Sequence, residues 1–233
     1  MVKLGALGDV HGDFASVRAI ASRHPDIGLW VSVGDLGDGQ GRYEPMPFPL
    51  YWIKGNNDNL EVIAGIVAGE RHIPNLHHVP NGVVVAVGPI RVVGLGGTLA
   101  PTWYDKAPHE LPRPRIPALG PDGYPPLARD DKRRHFVRAE VEACKRQSGV
   151  ELLLTHEAAR PFYVEVRGRM HDVGKTPINE ILATMHPKLH LSGHHHQYSD
   201  EVRQGVRSIG LDPVSKSYLI VDLDTWKYER VET

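Results

Sequence analysis

Five short polar clusters, each following an apolar run, constrain the fold of this 233-residue chain more than any other feature. They lie at 8–12 (GDVHG), 34–38 (GDLGD), 55–58 (GNND), 155–157 (THE) and 193–196 (GHHH). The short apolar runs before them are typical of buried strands. Because α/β sheets gather ligands at the carboxyl ends of their strands, we expect these Asp, Asn and His side chains to converge there.

The segments between the clusters predict a layered fold. Apolar residues at helical spacing predict helices over 13–24, 60–68, 130–147 and 178–185. Two β-branched runs within 82–97 are joined at Gly88-Pro89, which is typical of a hairpin. This alternation favours an α/β (α+β) fold whose first strands are largely parallel and whose later strands include antiparallel additions.

Composition excludes several classes of function. The formal net charge of -1 gives the chain no overall attraction for nucleic acid or for anionic membranes. The only cysteine, Cys144, excludes an internal disulfide and favours a reducing compartment. No stretch reaches the roughly 18 apolar residues of a membrane span, and the N-terminus turns acidic at Asp9, too early for a signal peptide. We therefore expect a cytoplasmic protein without a membrane partner; charge does not support a nucleic acid partner, and the oligomeric state is open.

Residues 99–127 are rich in proline and glycine and show no periodicity, which predicts a long excursion over the surface. We expect residues 1–233 to form a single domain that carries this insertion. Loops of such length within a domain are usually functional or disordered. Trp103 and Tyr104 would then belong to a lid over the strand ends; the alternative is a proline-stiffened insertion without function.

Carboxylates and imidazoles brought together in one pocket need neutralising. Burial of like or unpaired charges costs several kcal/mol per group, and a pair of divalent cations would offset that cost. Mixed oxygen and nitrogen ligands suit Mn²⁺, Fe or Zn²⁺, and the five clusters contain no thiolate. The sequence therefore predicts a site for two divalent metal ions.

The clusters together resemble the motifs D-x-H, G-D-x-x-D, G-N-H-D/E, a lone His and G-H-x-H of the calcineurin-like metallophosphoesterases. The match keeps their order over nearly the whole chain. The succession GNND, GVVVAVGPIRVVGLGG, LLLTHEAARPFY and HPKLHLSGHHH is also similar to RNA lariat debranching enzymes and their prokaryotic relatives. The resemblance implies a four-layer sandwich of two mixed β-sheets flanked by helices, with a dinuclear metal site at the strand carboxyl ends.

The resemblance also implies the metal ligands: Asp9, His11 and His196 for the first metal, Asn56, His156 and His194 for the second, and Asp35 bridging both. Mn²⁺ is the first choice, with Fe or Zn²⁺ as alternatives. Two such ions activate water for attack on a phosphoester, here of a small molecule or nucleotide. We expect His194 and His196 to reach separate metals through the alternation of an extended segment, with His195 pointing elsewhere.

Two positions depart from the motifs that the chain resembles. Asn57 stands where the family commonly carries His, and an amide cannot donate a proton as an acid, although it can bind a phosphoryl oxygen. General acid help is worth about 10²–10⁴-fold, so we expect slow turnover or substrates with good leaving groups. His77, His78 or His171 are alternative acids. Asp9 stands where lariat debranching enzymes have Cys, which favours a filled first metal site.

Other polar residues have both functional and structural interpretations. Arg160 either binds a substrate phosphate bidentately or forms a surface salt bridge. His195 is either a catalytic phosphate contact or simply exposed. Asp38 is expected in a turn, where it would orient its neighbours, and Asp58 as a cap of the following helix. His190 is expected to be a surface or half-buried structural residue.

Two functions fit these observations. The first is a metal-dependent phosphoesterase acting on monoesters or diesters, in which Asp35, Asn57 and His195 are the catalytic candidates and Arg160 and Asn57 bind substrate. The alternative is a non-catalytic, metal-bound scaffold or regulatory module derived from the same fold. A nucleotide-binding α/β fold is disfavoured, because neither G-x-G-x-x-G nor a P-loop follows a strand.

Overall fold

The computed structural model describes residues 2–114, 119–120 and 123–233. Its strands are β1 (Lys3–Leu7), β2 (Trp30–Ser32), β3 (Leu50–Trp52), β4 (Leu76–His78), β5 (Val84–Val87), β6 (Ile90–Leu95), β7 (Thr98–Leu99), β8 (His135–Phe136), β9 (Leu152–Thr155), β10 (Tyr163–Val166), β11 (Arg169–Asp172), β12 (Leu189–Ser192), β13 (Ser199–Arg203), β14 (Val206–Gly210), β15 (Ser217–Asp222) and β16 (Tyr228–Glu232). Its helices are α1 (Phe14–Arg23), α2 (Leu60–Val67), α3 (Pro101–Tyr104), α4 (Arg138–Lys145) and α5 (Thr176–Met185), with 3₁₀ turns at Pro108–Glu110 and Lys132–Arg134.

Two six-stranded mixed sheets form the centre of the structure. The first has the order β16-β15-β1-β2-β3-β4, in which β1 to β4 are parallel and β15 and β16 are antiparallel. The second has the order β13-β14-β12-β9-β6-β5, in which β14, β12, β9 and β6 are parallel and each edge strand is antiparallel. The predicted parallel start with antiparallel additions is thus present in the first sheet, whereas the second sheet starts with the antiparallel pair β5–β6.

Three apolar clusters hold four layers together. Helices α1 and α2 cover the outer face of the first sheet through residues such as Val17, Ile20 and Val62. Side chains from the inner faces of both sheets, including Val31 and Leu154, share a second cluster between the sheets. Helices α4 and α5 cover the second sheet. Each fully buried aliphatic side chain contributes about 1.5–3 kcal/mol to folding, so these clusters stabilise the layers against one another. The layering is the sandwich that the family resemblance implies.

The local predictions succeed for most long elements and fail for one helix. The predicted hairpin is β5–β6, closed at Gly88-Pro89. The predicted helix over 130–147 is wrong, because only Arg138–Lys145 is α-helical. The buried Asp131 side chain accepts a hydrogen bond from the Arg133 backbone N–H and also binds the Arg133 guanidinium. Such local bonds compete with the helix, and His135–Phe136 then pairs with β7 instead.

The Pro/Gly-rich excursion is described except for residues 115–118 and 121–122, which lie outside the described residues. Near its start, Tyr104 packs edge-on against Phe136 and lies under the guanidinium of Arg138. These contacts fix Tyr104 to the layer of α4, so Tyr104 has a structural role. The lid role of Trp103 stays a prediction, as does the assignment of residues 1–233 to one domain.

The interior of the second sheet contains a histidine that the sequence placed nearer the surface. His190 on β12 is completely buried, and its two ring nitrogens contact Thr155 Oγ1 and Ser208 Oγ, both at 2.7 Å. It therefore joins three neighbouring strands, β9, β12 and β14. Burial lowers the pKa of His190 to about 3, so the ring is neutral in the folded protein.

A His190→Gln variant should show a flatter pH dependence of stability than the wild type. The folded-state pKa of His190 lies below the unfolded value of about 6.5, so the unfolded chain binds an extra proton and stability falls as pH drops from about 6.5 towards 3. One such group contributes a slope of up to about 1.4 kcal/mol per pH unit. Denaturant unfolding across this range measures it. The exposed His171→Gln is the control, and an unchanged slope in His190→Gln would contradict the assignment.

Candidate metal centre

The carboxyl ends of the parallel strands of both sheets meet at one edge of the sandwich. The loops after β1, β2 and β3 come from the first sheet, and those after β9 and β12 come from the second. Two contacts join the sheets here: the His194 backbone N–H donates to the Asp9 carboxylate at 3.0 Å, and His156 Nδ1 lies 2.8 Å from the Val33 carbonyl oxygen. The five polar clusters therefore converge as the strand pattern predicts.

Asp9, His11 and His196 form the first group, hereafter the first ligand set. Their ligating atoms all lie within 4.8 Å of one another. His196 Nε2 lies 2.9 Å from Asp9 Oδ2 and 3.1 Å from His11 Nε2. Asp9 is buried while the two imidazoles are exposed. The carboxylate therefore lies on the protein side of this group, and the imidazoles lie on the solvent side.

Asn56, His156 and Asp35 form the second group. His156 Nε2 lies 2.9 Å from Asn56 Oδ1 and 3.6 Å from Asp35 Oδ1. Since the Val33 carbonyl oxygen can only accept, it fixes the proton of a neutral His156 ring on Nδ1 and leaves the Nε2 lone pair facing the two oxygens. Three electron-pair donors thus face one another in a buried place.

Asp35 lies between the two groups and contacts both. Its Oδ1 faces His156 Nε2, whereas its Oδ2 lies 4.0 Å from His11 Nε2. Asn57 holds the carboxylate in this orientation, because its backbone N–H donates to Oδ1 and its Nδ2 donates to Oδ2, both at 2.7 Å. The amide of Asn57 is thereby directed at Asp35.

His194 lies beside the second group, with its ring centroid 4.9 Å from that of His156. Its Nε2 lies 3.9 Å from Oε1 of Glu157, a buried carboxylate. Glu157 is itself held by the Leu99 backbone N–H at 2.5 Å and by Lys175 Nζ at 3.3 Å. Glu157 belongs to the THE cluster, but its residue type alone did not indicate this role, and no signal in the sequence pointed to Lys175.

The protein groups shift one another's pKa values. Burial alone would raise the pKa of Asp9, but the hydrogen bond from His196 and the charge of His156 bring it below its usual value. Burial would lower the pKa of His156, yet the carboxylates of Asp35 and Asp9 outweigh burial and raise it. Burial, together with His156, lowers the pKa of His194 to about 4. The buried carboxylates thus favour positive charge at this edge.

The donor set fits divalent cations. Two buried carboxylates, an amide oxygen and several imidazole nitrogens face common points, and without a cation these acceptors would repel one another. Hard oxygen with borderline nitrogen donors matches Mn²⁺, Fe or Zn²⁺. The carboxylates that raise the pKa of His156 favour a proton on its ring, and a metal ion at Nε2 would compete with that proton.

The backbone turns sharply at four of the candidate ligands. His11, Asp35, His194 and His196 have φ values of 50°, 50°, 66° and 53°. Non-glycine residues in this left-handed region cost on the order of 1–3 kcal/mol each and cluster at functional sites. The expected alternation of an extended segment at 193–196 is therefore wrong: the turned backbone directs His194 and His196, and the His195 N–H donates to the Gly193 carbonyl oxygen at 2.7 Å.

Two glycines of the motifs allow a carboxylate to approach the backbone closely. A Cβ atom at Gly55 would lie 2.0 Å from Asp35 Oδ1, and one at Gly193 would lie 2.3 Å from Asp9 Oδ1. Neither glycine has a left-handed backbone, so a turn does not explain why they are glycines. Both are needed because a carboxylate occupies the space that a side chain would fill.

Two candidates have surroundings that limit their proposed roles. The guanidinium of Arg160 pairs with Asp172 at 2.6 Å, which is the surface salt bridge that the sequence left open. His195 is half-buried, not exposed: its ring stacks on Phe162 with centroids 4.9 Å apart. Within the described part of the chain, His195 Nε2 is buried and has no hydrogen-bond partner. Contact between this nitrogen and a phosphoryl group would therefore require the ring to move away from Phe162.

Of the roles predicted for Asp38 and Asp58, one is confirmed and one is wrong. Asp38 is a turn residue as predicted, because its Oδ1 accepts from the backbone N–H groups of Gln40 and Arg42, both at 2.8 Å. The predicted cap role of Asp58 is wrong, because Asn59 caps α2. Asp58 is buried and accepts from the N–H groups of Leu36, Gly37 and Gly55 and from the Tyr43 hydroxyl. It joins the loop after β2 to the loop after β3.

Comparison with known proteins identifies the family. The sequence model of the calcineurin-like phosphoesterases matches residues 2–198, so the chain belongs to the calcineurin-like phosphoesterase family. This family consists of phosphoesterases that depend on divalent metals. The search of curated proteins gave no match. None of the described helices is long and apolar enough to cross a membrane.

Solved structures share the fold over almost the whole chain. One crystal structure has a TM-score of 0.68 at 11% identity, covering 99% of this chain and 98% of its own. The protein TT1561 of Thermus thermophilus has a TM-score of 0.62 at 15% identity, with coverages of 99% and 98%. A Staphylococcus aureus protein named as a putative 5′-nucleotidase, in complex with alpha-ketoglutarate, has a TM-score of 0.51 at 14% identity, covering 99% of this chain and 53% of its own. At these identities the likeness shows the fold alone.

A Glu157→Gln variant should bind metal more weakly at the second group while folding normally. The substitution keeps the bond from Leu99 but removes the charge that faces His194 and Lys175. Groups that orient a metal ligand are worth about 10–100-fold in affinity. Titration of chelator-treated protein with Mn²⁺ by calorimetry measures the effect. Glu110→Gln, on the exposed excursion, is the control, and equal affinities in Glu157→Gln and wild type would disprove the orienting role.

Proposed function

We propose that this protein hydrolyses phosphoester bonds with the help of two divalent metal ions. The ligands would be Asp9, His11 and His196 for the first ion, Asn56, His156 and His194 for the second, and Asp35 between them. Mn²⁺ is the first choice, with Fe or Zn²⁺ as alternatives. A phosphoester of a small molecule or nucleotide is the substrate class, and the choice between monoester and diester belongs to the test below.

The position of Asp35 is the observation that carries this proposal. One carboxylate presents Oδ1 to the nitrogen of His156 and Oδ2 to the nitrogen of His11, which lie in different groups. A carboxylate whose two oxygens face ligands of different groups is suited to bridge two ions. Because Asn57 bonds both oxygens from the same side, the carboxylate cannot rotate towards one group without losing a hydrogen bond.

Each residue of the site has a defined part in the proposed reaction. Bound divalent ions would supply positive charge to phosphoryl oxygens and lower the pKa of a water molecule that attacks phosphorus. His156 keeps its proton on Nδ1, against the Val33 carbonyl oxygen, so Nε2 is available for binding. Asp9 is held by the His194 backbone N–H and fixes the carboxylate side of the first ligand set. Asn57 orients Asp35 through its amide.

The leaving group would depart without an acid at position 57. The Asn57 amide has no transferable proton and already donates to Asp35. Two of the three alternative acids are disfavoured: His77 stacks on Tyr51, and burial, together with Lys54, lowers the pKa of His78 to about 3, which keeps that ring neutral. The third, His171, is exposed on β11 and stays a prediction. We therefore expect a preference for phosphoesters with good leaving groups.

The first test is turnover of p-nitrophenyl phosphate and bis-p-nitrophenyl phosphate by metal-depleted protein to which Mn²⁺ is returned. Wild type should be active only with metal. Asp9→Asn and His156→Ala should each lose one metal, measured by elemental analysis, and nearly all turnover. The exposed Asp105→Asn and His72→Ala are the matched controls. Absence of Mn²⁺-dependent turnover on a broad panel of monoesters, diesters, cyclic and branched nucleotides would overturn the proposal.

The same panel separates the other candidates. Two bound metals without hydrolysis of any phosphoester would support the alternative of a metal-bound scaffold or regulatory module. Cleavage of branched RNA would support the narrower resemblance to lariat debranching enzymes. We expect branched RNA to be a poor substrate, because Asp9 replaces the Cys of those enzymes and the net charge of the chain is only -1.

A further inference from the structure

A cavity of about 300 Å³ opens beside the first ligand set. His11 and Asn57 line one side of it, Gly39 lies on the loop after β2, and Leu127 and Arg129 close it from the end of the Pro/Gly-rich excursion. Small-molecule sites usually occupy about 300–1,000 Å³, so the space suits a compact group attached to the reacting phosphorus. The cavity places residues after the excursion next to a candidate metal ligand.

Arg129 differs from Arg160, which was considered above for substrate binding, and from Arg133, which lies four residues further along the chain. Arg160 is paired with Asp172, and Arg133 is paired with Asp131 and Glu61. Across the described ranges, the Arg129 guanidinium makes a single contact, from Nη2 to the Gly39 carbonyl oxygen at 3.5 Å, and forms no ion pair. Its positive charge is therefore available to a ligand.

The backbone that carries Arg129 is anchored. The Arg129 carbonyl oxygen accepts from Arg134 Nη1 at 2.6 Å, and the Ala128 carbonyl oxygen accepts from the Asp131 N–H at 3.3 Å. Asp131 is buried, so this turn is fixed to the body of the protein. A helix from residue 130, as the sequence predicts, would not produce this turn; its absence lets residues 127–134 run past the cavity.

We propose that Arg129 is a substrate-binding residue that pairs with a second phosphoryl group, beyond the one that is hydrolysed. The inference rests on the proposed function, because the ions would hold the reacting phosphoryl group and leave a cation across the cavity for another anion. A guanidinium matches phosphoryl oxygens with two parallel hydrogen bonds. Asp38, also at the cavity, accepts two backbone N–H bonds, which reduces its repulsion of an anion. Bisphosphates and nucleoside diphosphates are the substrate class that this arrangement favours.

The experiment compares adenosine 3′,5′-bisphosphate with the 3′- and 5′-monophosphates, which differ only in the second phosphoryl group. Wild type should have a lower KM for the bisphosphate. Arg129→Gln should raise that KM by about 10–100-fold, the range for a hydrogen-bonded charge, with little change for the monophosphates and unchanged metal content. Arg129→Lys should restore part of the effect, because lysine keeps the charge but not the fork. The exposed Arg146→Gln carries the same charge change and should behave as wild type.

Equal KM values for bisphosphate and monophosphates in wild type, or an unchanged ratio in Arg129→Gln, would overturn the role of Arg129 while p-nitrophenyl phosphate turnover still upheld the phosphoesterase. If wild type hydrolyses no phosphoester, the proposed function fails, and calorimetry of the bisphosphate with metal-loaded protein decides about Arg129 alone. A loss of affinity of about tenfold or more in Arg129→Gln supports the binding role, and equal affinities refute it.

Discussion

Three buried carboxylates at one edge of the sandwich determine how the loops of this protein are arranged. Each accepts backbone N–H groups from a loop other than its own: Asp9 from His194, Asp35 from Asn57, and Asp58 from Leu36 and Gly37. A buried carboxylate without such partners would cost several kcal/mol. The loops after β1, β2, β3 and β12 therefore depend on one another. If one of them moved, a buried carboxylate would lose a hydrogen bond that its neighbouring loop donates.

This dependence explains why short motifs far apart in sequence predict so much. The strand-end rule needs only an apolar run followed by a polar cluster, and every cluster lies where that rule places it. A layered α/β fold follows from the same alternation, whereas the two mixed sheets with helices outside were implied by the family resemblance. The convergence of the five loops could thus be predicted from the strand ends, because it depends on topology, whereas the grouping of Asp9, His11 and His196 was implied by the family resemblance.

Features decided by competition between local and distant bonds could not be predicted in this way. Asp58 precedes a helix and has the residue type of a cap, but three backbone N–H groups from two loops bind it and Asn59 takes the cap. Asp131 likewise breaks a pattern that is helical by periodicity. Arg160 follows a motif closely, yet its neighbour Asp172 neutralises it, whereas Arg129 belongs to no motif and retains its charge. Partner availability, which the sequence does not display, decides each case.

The spaces beside Gly55 and Gly193 have a consequence for how relatives of this protein are judged. One added methyl group at either position would overlap a carboxylate oxygen and displace Asp35 or Asp9, while the sequence would still contain every candidate metal ligand. A survey that counts only those residues would classify such a chain as a working enzyme. Loss of function in this fold can therefore begin at a residue without a side chain. Inactive relatives should be identified by comparing these two glycine positions as well as the candidate ligands.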